Sequence, residues 1–405
     1  MGRKYHSTLI SFGRVHHIIS RYKESLFILF IRLEENLMKI AFIGSRGFPG
    51  FNAGVEKSLE EICPRLAKKG HDISLYCSGH VSTPEPVFKG AILKRTPAIN
   101  SKHLETISRV VESGWVALFE DYDIVHYHSI GPALMSWMMR LGRSKTVVTV
   151  HGLDWQRAKW GKLARMSLQL GERASIAFPD ATVVISKVLQ RHYKEKHGKD
   201  VICIPNGVTV MPPLSPDIIT SRWGLKGGDY ILFASRLVPE KECHTLISAY
   251  QKLKNPAIKL LIAGASWHSD DYVKSLHQLA AGNPNIIFAG WAEGDILKEL
   301  FSNALMYCLP SQIEGLSLSL LEGMSYGVCP VISDIPENTE IVEKNGISFK
   351  TGDADDLARK LQRLIDDPSE CRSFGLAARE AVSQTYSWDR HTDELERAYL
   401  RVLSS

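Results

Sequence analysis

The sequence predicts an α/β protein made of two doubly wound domains that face each other across a cleft. Short β-branched runs, apolar almost throughout, alternate with amphipathic segments, as expected of parallel strands that are buried on both faces and joined by helices. A proline-rich segment divides this series into two halves. At 405 residues the chain is long enough for two domains, each with its own core.

The first half, residues 38–210, is predicted to be an N-terminal domain. Its predicted strands are 39–44, 72–77, 123–126, 145–151, 181–186 and 201–204. Between the first two strands, apolar residues at helical spacing form one stripe that can cover a sheet, and they are Val55, Leu59, Ile62, Cys63 and Leu66. The first half is therefore predicted to begin with a strand, a helix and a second strand.

The second half, residues 211–387, follows the predicted linker VTVMPPLSPD at 208–217. Its predicted strands are 229–234, 258–264, 285–290, 304–310 and 328–333. A further helix is predicted after Asp353 as N-cap, with Leu357, Leu361, Leu364 and Ile365 on one face. Doubly wound sheets bind ligands beyond the carboxyl ends of their strands, so the functional residues are expected in the cleft between the halves.

Residues 1–37 are predicted to be an extension outside the fold. The apolar run LFILFI at 26–31 is too short to span a bilayer, and no small-residue cleavage site follows it. An interfacial helix is the alternative interpretation. The chain from Met38, MKIAFIGSRG, is typical of a first buried strand.

Composition and charge argue against several classes of protein. With 44% hydrophobic and 23% charged residues, the chain is typical of globular proteins rather than disordered ones. A net charge of +5 is low for a dedicated nucleic-acid-binding protein, so no nucleic-acid partner is predicted. The 7 cysteines are scattered and lack a CxxC spacing, which indicates reduced thiols in a cytoplasmic compartment.

The first predicted strand ends in a glycine-rich segment, GSRGFPGFNAGVE, which includes Gly44 and Gly54. Glycines let the backbone approach a ligand, and the N-terminus of the following helix offers N–H groups to an anion. A dinucleotide site is disfavoured, because the spacing is GxxGxxG and no acidic residue ends the second strand. A tight strand-to-helix turn without a ligand is the alternative.

Histidines stand at the ends of two predicted strands. His126 and His128 share one face, but no carboxylate or cysteine at ligand spacing accompanies them, so a metal site is disfavoured and hydrogen-bonded histidines are the alternative. His151 precedes Gly152, which lets the chain turn and can leave the imidazole facing the cleft.

Two cations follow the first strand of the second half. Arg236 and Lys241 lie between this strand and a helix. A guanidinium chelates phosphate oxygens in a fork and an ammonium adds a point charge, so the pair can clamp a diphosphate. Two ordinary surface cations are the alternative.

Two carboxylates, Glu314 and Glu322, stand eight positions apart in EGLSLSLLEGMSYG. We predict a helix that begins near Ser317, with Ser319 and Glu322 as its capping box. If both carboxylates were helical they would lie about 12 Å apart, which is too far for a glycosidase pair. The alternative is that Glu322 only caps the helix and Glu314 is solvated.

Taken together, these residues resemble the family 4 glycosyltransferases, which have the GT-B fold of two facing Rossmann-like domains. The resemblance covers about 38–403, and its most specific parts are the segment 236–241, the E-x7-E pair, IPNGV around Asn206 and SYGVCPVISD. The stretches 43–77 and 150–165 are similar to the subgroup labelled rhamnosyltransferases. The last residues, 388–405, resemble the family's final helix, which crosses back and completes the first domain.

The resemblance implies retaining transfer of a sugar from a nucleotide-diphosphate-sugar to an acceptor hydroxyl, with no obligatory cofactor or metal. Arg236 and Lys241 would neutralise the leaving diphosphate, Glu322 would hold the ribose, and Glu314 and His151 would adjoin the donor sugar. The other implied donor-binding residues are Gly54, Asn206, Leu316, Ser317 and Leu318. The implied acceptor-side residues are Glu56, His128, Asp154 and Trp155.

The chain departs from the family pattern at two positions. Ala53 stands where the family has the first of two glycines, and Glu242 stands where a glycine is common after the clamp lysine. Ala53 restricts the backbone conformations available to the donor loop, the glycine-rich segment before Gly54. Glu242 adds a negative charge near the implied phosphates.

The expected acceptor is a glycan or a lipid-linked molecule, and the implied role is bacterial cell-surface polysaccharide synthesis. WQRAKWGKLAR at 155–165 mixes aromatic and basic residues, which predicts contact with anionic lipid at the inner face of the cytoplasmic membrane. A solvated helix face is the alternative for this stretch. The alternative functions are another sugar-nucleotide enzyme, such as an epimerase or a phosphorylase-like protein, and an inactive sugar-nucleotide-binding partner.

Overall fold

The computed structural model describes residues 36–48, 54–79, 85–97, 105–157, 160–254, 257–266 and 269–405. Apart from its last two residues, the predicted extension at 1–37 lies outside the described residues, as does Ala53 of the donor loop. Within the described ranges the chain forms two sheets of parallel strands joined by helices. The predicted α/β class with two doubly wound domains is confirmed.

The first sheet is built from the first half of the chain. Its strands are β1 (Lys39–Ile43), β2 (Asp72–Ser78), β3 (Val87–Phe88), β4 (Ala91–Thr96), β5 (Ile124–His128), β6 (Lys145–Val150), β7 (Ala181–Val184) and β8 (Ile202–Cys203). The helices of this half are α1 (Gly54–Lys68), α2 (Glu105–Leu118), α3 (Ile130–Ala133), α4 (Lys162–Ala177) and α5 (Lys187–His197), with 3₁₀ turns at Ser136–Leu141 and Asp154–Gln156. The strand order is β3-β4-β2-β1-β5-β6-β7-β8, and only the β3–β4 pair is antiparallel.

The second sheet is built from residues after the linker. Its helices are α6 (Asp217–Trp223), α7 (Cys243–Tyr250), α8 (Asp270–Ala280), α9 (Gly294–Asn303), α10 (Leu318–Ser325), α11 (Pro336–Val342), α12 (Ala354–Asp366) and α13 (Pro368–Thr385), and a 3₁₀ turn covers Pro239–Lys241. Its strands are β9 (Tyr230–Ala234), β10 (Lys259–Ala263), β11 (Ile286–Gly290), β12 (Met306–Leu309), β13 (Cys329–Ser333) and β14 (Ile347–Phe349). The order is β11-β10-β9-β12-β13-β14, which reverses between β9 and β12. Such a reversal opens a crevice at the carboxyl ends of the strands.

Local patterns account for most of these elements. The predicted stripe of α1 is buried except for Val55, which is half-buried. Asp353 caps α12 by accepting from the N–H groups of Asp355 and Asp356. Three strands were not predicted, because β3 has two residues, β14 has three, and the exposed positions of β4 break its apolar run.

The last helix, α14 (Trp388–Leu403), packs against the first domain. Its buried face, which includes Leu395 and Tyr399, shares a core with α1 and β1. Arg65 Nε lies 2.7 Å from Asp389 Oδ1, which adds an ion pair between α1 and α14. The boundary at residue 210 and the assignment of 388–405 to the first domain stay predictions, which these contacts support.

Gly207 lies where the start of α14 crosses the chain that leaves β8. A Cβ on Gly207 would lie 2.2 Å from the backbone N of Trp388, which is too close for any real contact. We expect Gly207→Ala to lower the free energy of unfolding by about 1–3 kcal/mol, because backbone atoms must move to admit the methyl group. Urea unfolding would measure this loss. Gly227→Ala is the matched control, since its Cβ would meet Asn303 Oδ1 at an ordinary 3.6 Å. Equal stability of the two variants would contradict the prediction.

Candidate functional site

A cavity of about 650 Å³ lies between the two sheets, within the usual size range of small-molecule sites. Residues that follow strands of both sheets line it: Gly44 and His151 follow β1 and β6, and Ser235 and Gly264 follow β9 and β10. The carboxyl ends of both sheets therefore open onto one cavity.

Two helices begin at this cavity, α1 at Gly54 and α10 at Leu318. The two starts are neighbours, because a Cβ on Gly54 would lie 4.0 Å from Leu318 Cδ1. The first N–H groups of a helix have no partner within it and carry partial positive charge. The pair of helix starts is therefore suited to bind an anion.

Ser317 is the N-cap of α10, with its Oγ accepting from Leu320 N at 3.3 Å. The predicted capping box of Ser319 and Glu322 is wrong. Ser319 already belongs to the first turn, and its Oγ accepts from Tyr307 Oη at 2.8 Å. Glu322 is thereby left to line the cavity.

The clamp residues lie in the turn that joins β9 to α7, and both Arg236 and Lys241 line the cavity. Lys241 Nζ pairs with the carboxylate of Glu314, and both side chains are largely buried. Burial lowers the pKa of Lys241, and Glu314 opposes this shift. Burial and the neighbouring Arg157 lower the pKa of Arg236. Arg236 and Arg157 thus bring guanidinium groups to the cavity beside the Lys241–Glu314 ion pair.

Glu242, the unusual residue beside the clamp, does not line the cavity. Its φ is 54°, a left-handed conformation that glycine adopts more readily. Its carboxylate accepts from Gln312 Nε2 at 2.6 Å and from the Thr245 hydroxyl. These hydrogen bonds hold its charge at the start of α7 rather than at the proposed phosphate position.

Glu314 and Glu322 both line the cavity, one from the loop before α10 and the other from within it. Burial raises the pKa of Glu322, and Lys57 opposes this shift. Lys57 lies in the first turns of α1, so the two domains place opposite charges at this end of the cavity.

His151 also lines the cavity and belongs to a chain of histidines. Its Nε2 lies 2.9 Å from His128 Nδ1. Burial holds the pKa of His151 at about 3, so its imidazole is neutral at physiological pH. It can exchange hydrogen bonds with a sugar hydroxyl but brings no charge to the site.

His128 is fully buried in β5 and is not among the residues that line the cavity, which departs from its predicted acceptor-side position. It lies between His126 and His151 and orients the latter. His126 uses both ring nitrogens in hydrogen bonds, to Tyr399 Oη at 2.6 Å and Thr149 Oγ1 at 2.7 Å. Hydrogen bonds therefore account for both ring nitrogens of His126, which was the alternative interpretation to a metal site.

Of the other predicted acceptor-side residues, two line the cavity and one does not. Glu56 and Asp154 line the cavity. Trp155 does not, because its indole N–H donates to Glu172 Oε2 at 2.8 Å on the other side of the 3₁₀ turn. The predicted donor-side residues Gly54, Asn206, Leu316, Ser317 and Leu318 all line the cavity.

Many of the lining residues were not predicted, and Arg157, Ser129 and Lys57 are three of them. Arg157 reaches the cavity from the basic stretch, held by Asp154 Oδ1 at 3.1 Å. Ser129 follows β5 with φ 77° and ψ 157°, a conformation that is rare for residues other than glycine. Lys57 lies on the exposed side of the predicted α1 stripe. Only the basic character of 155–165 gave a sequence signal, and it pointed to a membrane.

Glu56 should give the protein a measurable pH dependence. It is 3% exposed, and burial raises its pKa from 4.5 to about 7. A carboxyl group that holds its proton more tightly when folded contributes stability that is complete below its unfolded pKa and is lost as the pH rises through its folded pKa. The loss from Glu56 therefore falls between pH 4.5 and about 7.

We expect Glu56→Gln to flatten the decline in stability over this interval. Above pH 7 the variant should exceed the wild type by up to about 3 kcal/mol in free energy of unfolding, because the amide stays neutral and can still accept from Arg46 N. Urea unfolding at several pH values would measure it. Glu380→Gln, at an exposed helical position, is the control. Parallel pH profiles of wild type and Glu56→Gln would contradict the prediction.

Two family models match this sequence. The model described as glycosyl transferases group 1 matches residues 218–381, and the model described as glycosyltransferase family 4 matches residues 52–210. An uncharacterized glycosyltransferase of Methanocaldococcus jannaschii is 32% identical, over 89% of this chain and 98% of the relative.

Solved structures share the fold over nearly the whole chain. Sucrose-phosphate synthase of Thermosynechococcus elongatus has a TM-score of 0.80 at 20% identity and covers 91% of this chain and 99% of its own. Anabaena HepE in complex with UDP-glucose has a TM-score of 0.74 at 19% identity and covers 90% of this chain and 100% of its own. The two facing domains found here are thus the architecture of these transferases.

Proposed function

This chain belongs to the family 4 glycosyltransferases and has their GT-B fold, and on that premise we propose that it is a retaining enzyme that moves a sugar from a nucleotide-diphosphate-sugar to an acceptor hydroxyl. The observation that carries the proposal is the convergence of Arg236 and Lys241 with the starts of α1 and α10 on one cavity.

The donor diphosphate is proposed to lie between the two helix starts. As the bond between the sugar and the phosphate oxygen breaks, negative charge grows on the diphosphate, and Arg236 and Lys241 stabilise it. Glu322 then faces the ribose. UDP-glucose bound to HepE supports a nucleotide-sugar donor, although that likeness concerns the fold.

Glu314 is proposed to position both the clamp and the sugar. Its carboxylate holds Lys241, which keeps the ammonium in the cavity, and its remaining lone pairs can accept from sugar hydroxyls. His151 is neutral and donates a hydrogen bond to the sugar. It therefore does not repel the positive charge that develops on the sugar ring. Retention follows if the acceptor oxygen attacks the face that the diphosphate leaves and passes its proton to a phosphate oxygen.

The acceptor is proposed to be a glycan or a lipid-linked molecule presented at the cytoplasmic membrane. Leu163, Met166 and Leu170 are exposed along one side of α4, and Lys162 and Arg165 lie on the same helix. Apolar residues flanked by cations are suited to an anionic lipid surface. Among the described helices, none has both the length and the apolar character to cross a bilayer.

The finer assignment is to a rhamnosyltransferase-like enzyme of bacterial cell-surface polysaccharide synthesis in the cytoplasm. Its support is the similarity of 43–77 and 150–165 to that subgroup.

A panel of nucleotide sugars tests the proposed reaction. We expect release of nucleoside diphosphate with one donor class, faster when extracted lipid or glycan acceptor is added. NMR of the isolated product would report the anomeric configuration, and inversion would overturn the retaining mechanism. Release of nucleotide without sugar transfer to any acceptor would count against a transferase of this kind.

Flotation with vesicles tests the proposed membrane contact separately. The protein should float with vesicles that contain anionic lipid and remain below with neutral ones. The double variant Leu163→Ser/Leu170→Ser should lose flotation yet keep turnover on a soluble acceptor. Equal recovery with both kinds of vesicle would refute the contact and leave the reaction untouched.

A further inference from the structure

A polar cluster outside the cavity lies where α4, α5 and the Asp154–Gln156 turn meet. At its centre is Glu172 of α4, a carboxylate that is 1% exposed. Two imidazoles approach the same oxygen: His192 Nε2 lies 2.8 Å and His197 Nε2 lies 2.7 Å from Glu172 Oε1. None of the three residues lines the cavity, and the proposed transfer reaction does not use them.

The three ligand-type atoms lie within 4.8 Å of one another. Zinc takes imidazole nitrogen and carboxylate oxygen at about 2.0–2.2 Å, so neighbouring ligand atoms in a tetrahedral shell are roughly 3.3 Å apart. The distances from Glu172 Oε1 to His192 Nε2 and His197 Nε2, 2.8 Å and 2.7 Å, are shorter than this by about half an ångström. Small rotations of His192 and His197, whose side chains are 25% and 12% exposed, would open the required space.

Glu172 is a buried carboxylate that is surrounded by donors. His192 Nε2 and His197 Nε2 lie 2.8 Å and 2.7 Å from its Oε1, and Lys196 Nζ lies 3.0 Å from the same oxygen. A divalent cation held by the two imidazoles would take the place of these donors beside the carboxylate.

The second carboxylate oxygen is fixed by a neighbour of the kind that orients metal ligands. Trp155 Nε1 donates to Glu172 Oε2 at 2.8 Å, which leaves Oε1 directed at the two histidines. Lys196 is the cation that pairs with Glu172 and would compete with a metal ion. Its Nζ also lies 4.9 Å from the centre of the Trp155 ring. Lys196 can therefore leave Glu172 and keep a favourable cation–π contact.

We propose that Glu172, His192 and His197 form a binding site for a divalent transition metal ion, with Zn²⁺ as the ion that best suits two imidazoles and one carboxylate. Water completes the fourth position. The ion would tie α4 to α5 and, through Trp155, to the turn that precedes Arg157 of the cavity. Its role is to stabilise this end of the first domain, because the ion lies outside the cavity.

Zinc binding by the full chain, purified without a polyhistidine tag and treated with a chelator, tests the proposal. Calorimetry should show one Zn²⁺ per chain, and Co²⁺ in its place should give the visible absorption of a four-coordinate site. The melting temperature should rise with added Zn²⁺, because the ion binds the folded chain preferentially.

Four variants test whether the two histidines are ligands. His192→Ala and His197→Ala should each weaken zinc binding by at least about tenfold. Lys196→Ala is the matched control and should bind Zn²⁺ as tightly as the wild type or more tightly, since it removes the competing cation. His192→Gln keeps a hydrogen bond to Glu172 and serves if the alanine variant does not fold.

Several outcomes would overturn the site. The wild type could show no saturable binding at micromolar Zn²⁺, or binding could survive the loss of both histidines. If Lys196→Ala weakened binding as much as the histidine variants, the cluster would be an ion-pair network and not a metal site. Each of these readouts is independent of sugar transfer, so failure here leaves the proposed reaction intact.

Discussion

Replacing Lys241 by methionine is expected to lower kcat/KM for sugar transfer by about 10²–10³-fold, the effect typical of losing one donor that stabilises charge in a transition state. The nearly isosteric methionine removes the ammonium but keeps the packing of the 3₁₀ turn. The loss should appear mainly in kcat, because the charge on the diphosphate grows only as the sugar bond breaks. Steady-state kinetics with the active donor would measure it.

The ion pair with Glu314 makes a double-mutant cycle informative. Lys241→Met leaves a largely buried carboxylate without its partner, and Glu314→Gln leaves a largely buried ammonium in the same condition. The double variant should therefore lose less activity than the two single losses multiplied together. Strictly multiplicative losses would mean that the two residues act independently. Lys298→Met, at a lysine that does not line the cavity, should behave as the wild type.

Gly315→Ala is the second change with a large expected effect. A Cβ on Gly315 would lie 1.9 Å from the carbonyl oxygen of His151, so the two domains touch here backbone to backbone. The methyl group must push the domains apart, which moves Glu314 and Leu316 away from His151. We expect a fall in kcat/KM of about 10²-fold, since a displacement of about 1 Å can have that effect.

Gly315→Ala should cause only a small loss in the free energy of unfolding, although it lowers kcat/KM strongly. The clash lies between the domains, and each domain keeps its own core, so urea unfolding should show a modest shift. Gly227→Ala is again the control and should retain full activity. An active Gly315→Ala protein would show that the two domains need not approach this closely for turnover.

The sequence predicted the features that depend on neighbouring residues. The continuous apolar runs, the 3.6-residue stripe of α1 and the Asp353 cap each depend on residues that are close together in the chain. The start of α10 near Ser317 was predicted and is confirmed, but the capping box was wrongly assigned to Ser319, because both serines are suitable caps. Tyr307, whose hydroxyl engages Ser319, comes from β12, and no local pattern announces that contact.

Part of the lining of the cavity was predicted residue by residue through a family resemblance, but the contacts of these residues were not. Lys241 and Glu314 are 73 positions apart, and the sequence pattern gives no measure of their distance in space. His128 and Trp155 carry residue types suited to a site, yet the fold turns both away from the cavity, toward His126 and Glu172.

The sequence by itself determined the α/β class, the two halves and the polar residues available at the ends of their strands. Tertiary structure alone decided that Gly315 meets His151, that Lys241 pairs with Glu314 and that Glu172 gathers His192 and His197. The physical reason is that hydrophobic periodicity reports only which face of an element is buried. Contacts between elements depend on how the sheets and helices are packed, and that packing is a property of the whole chain.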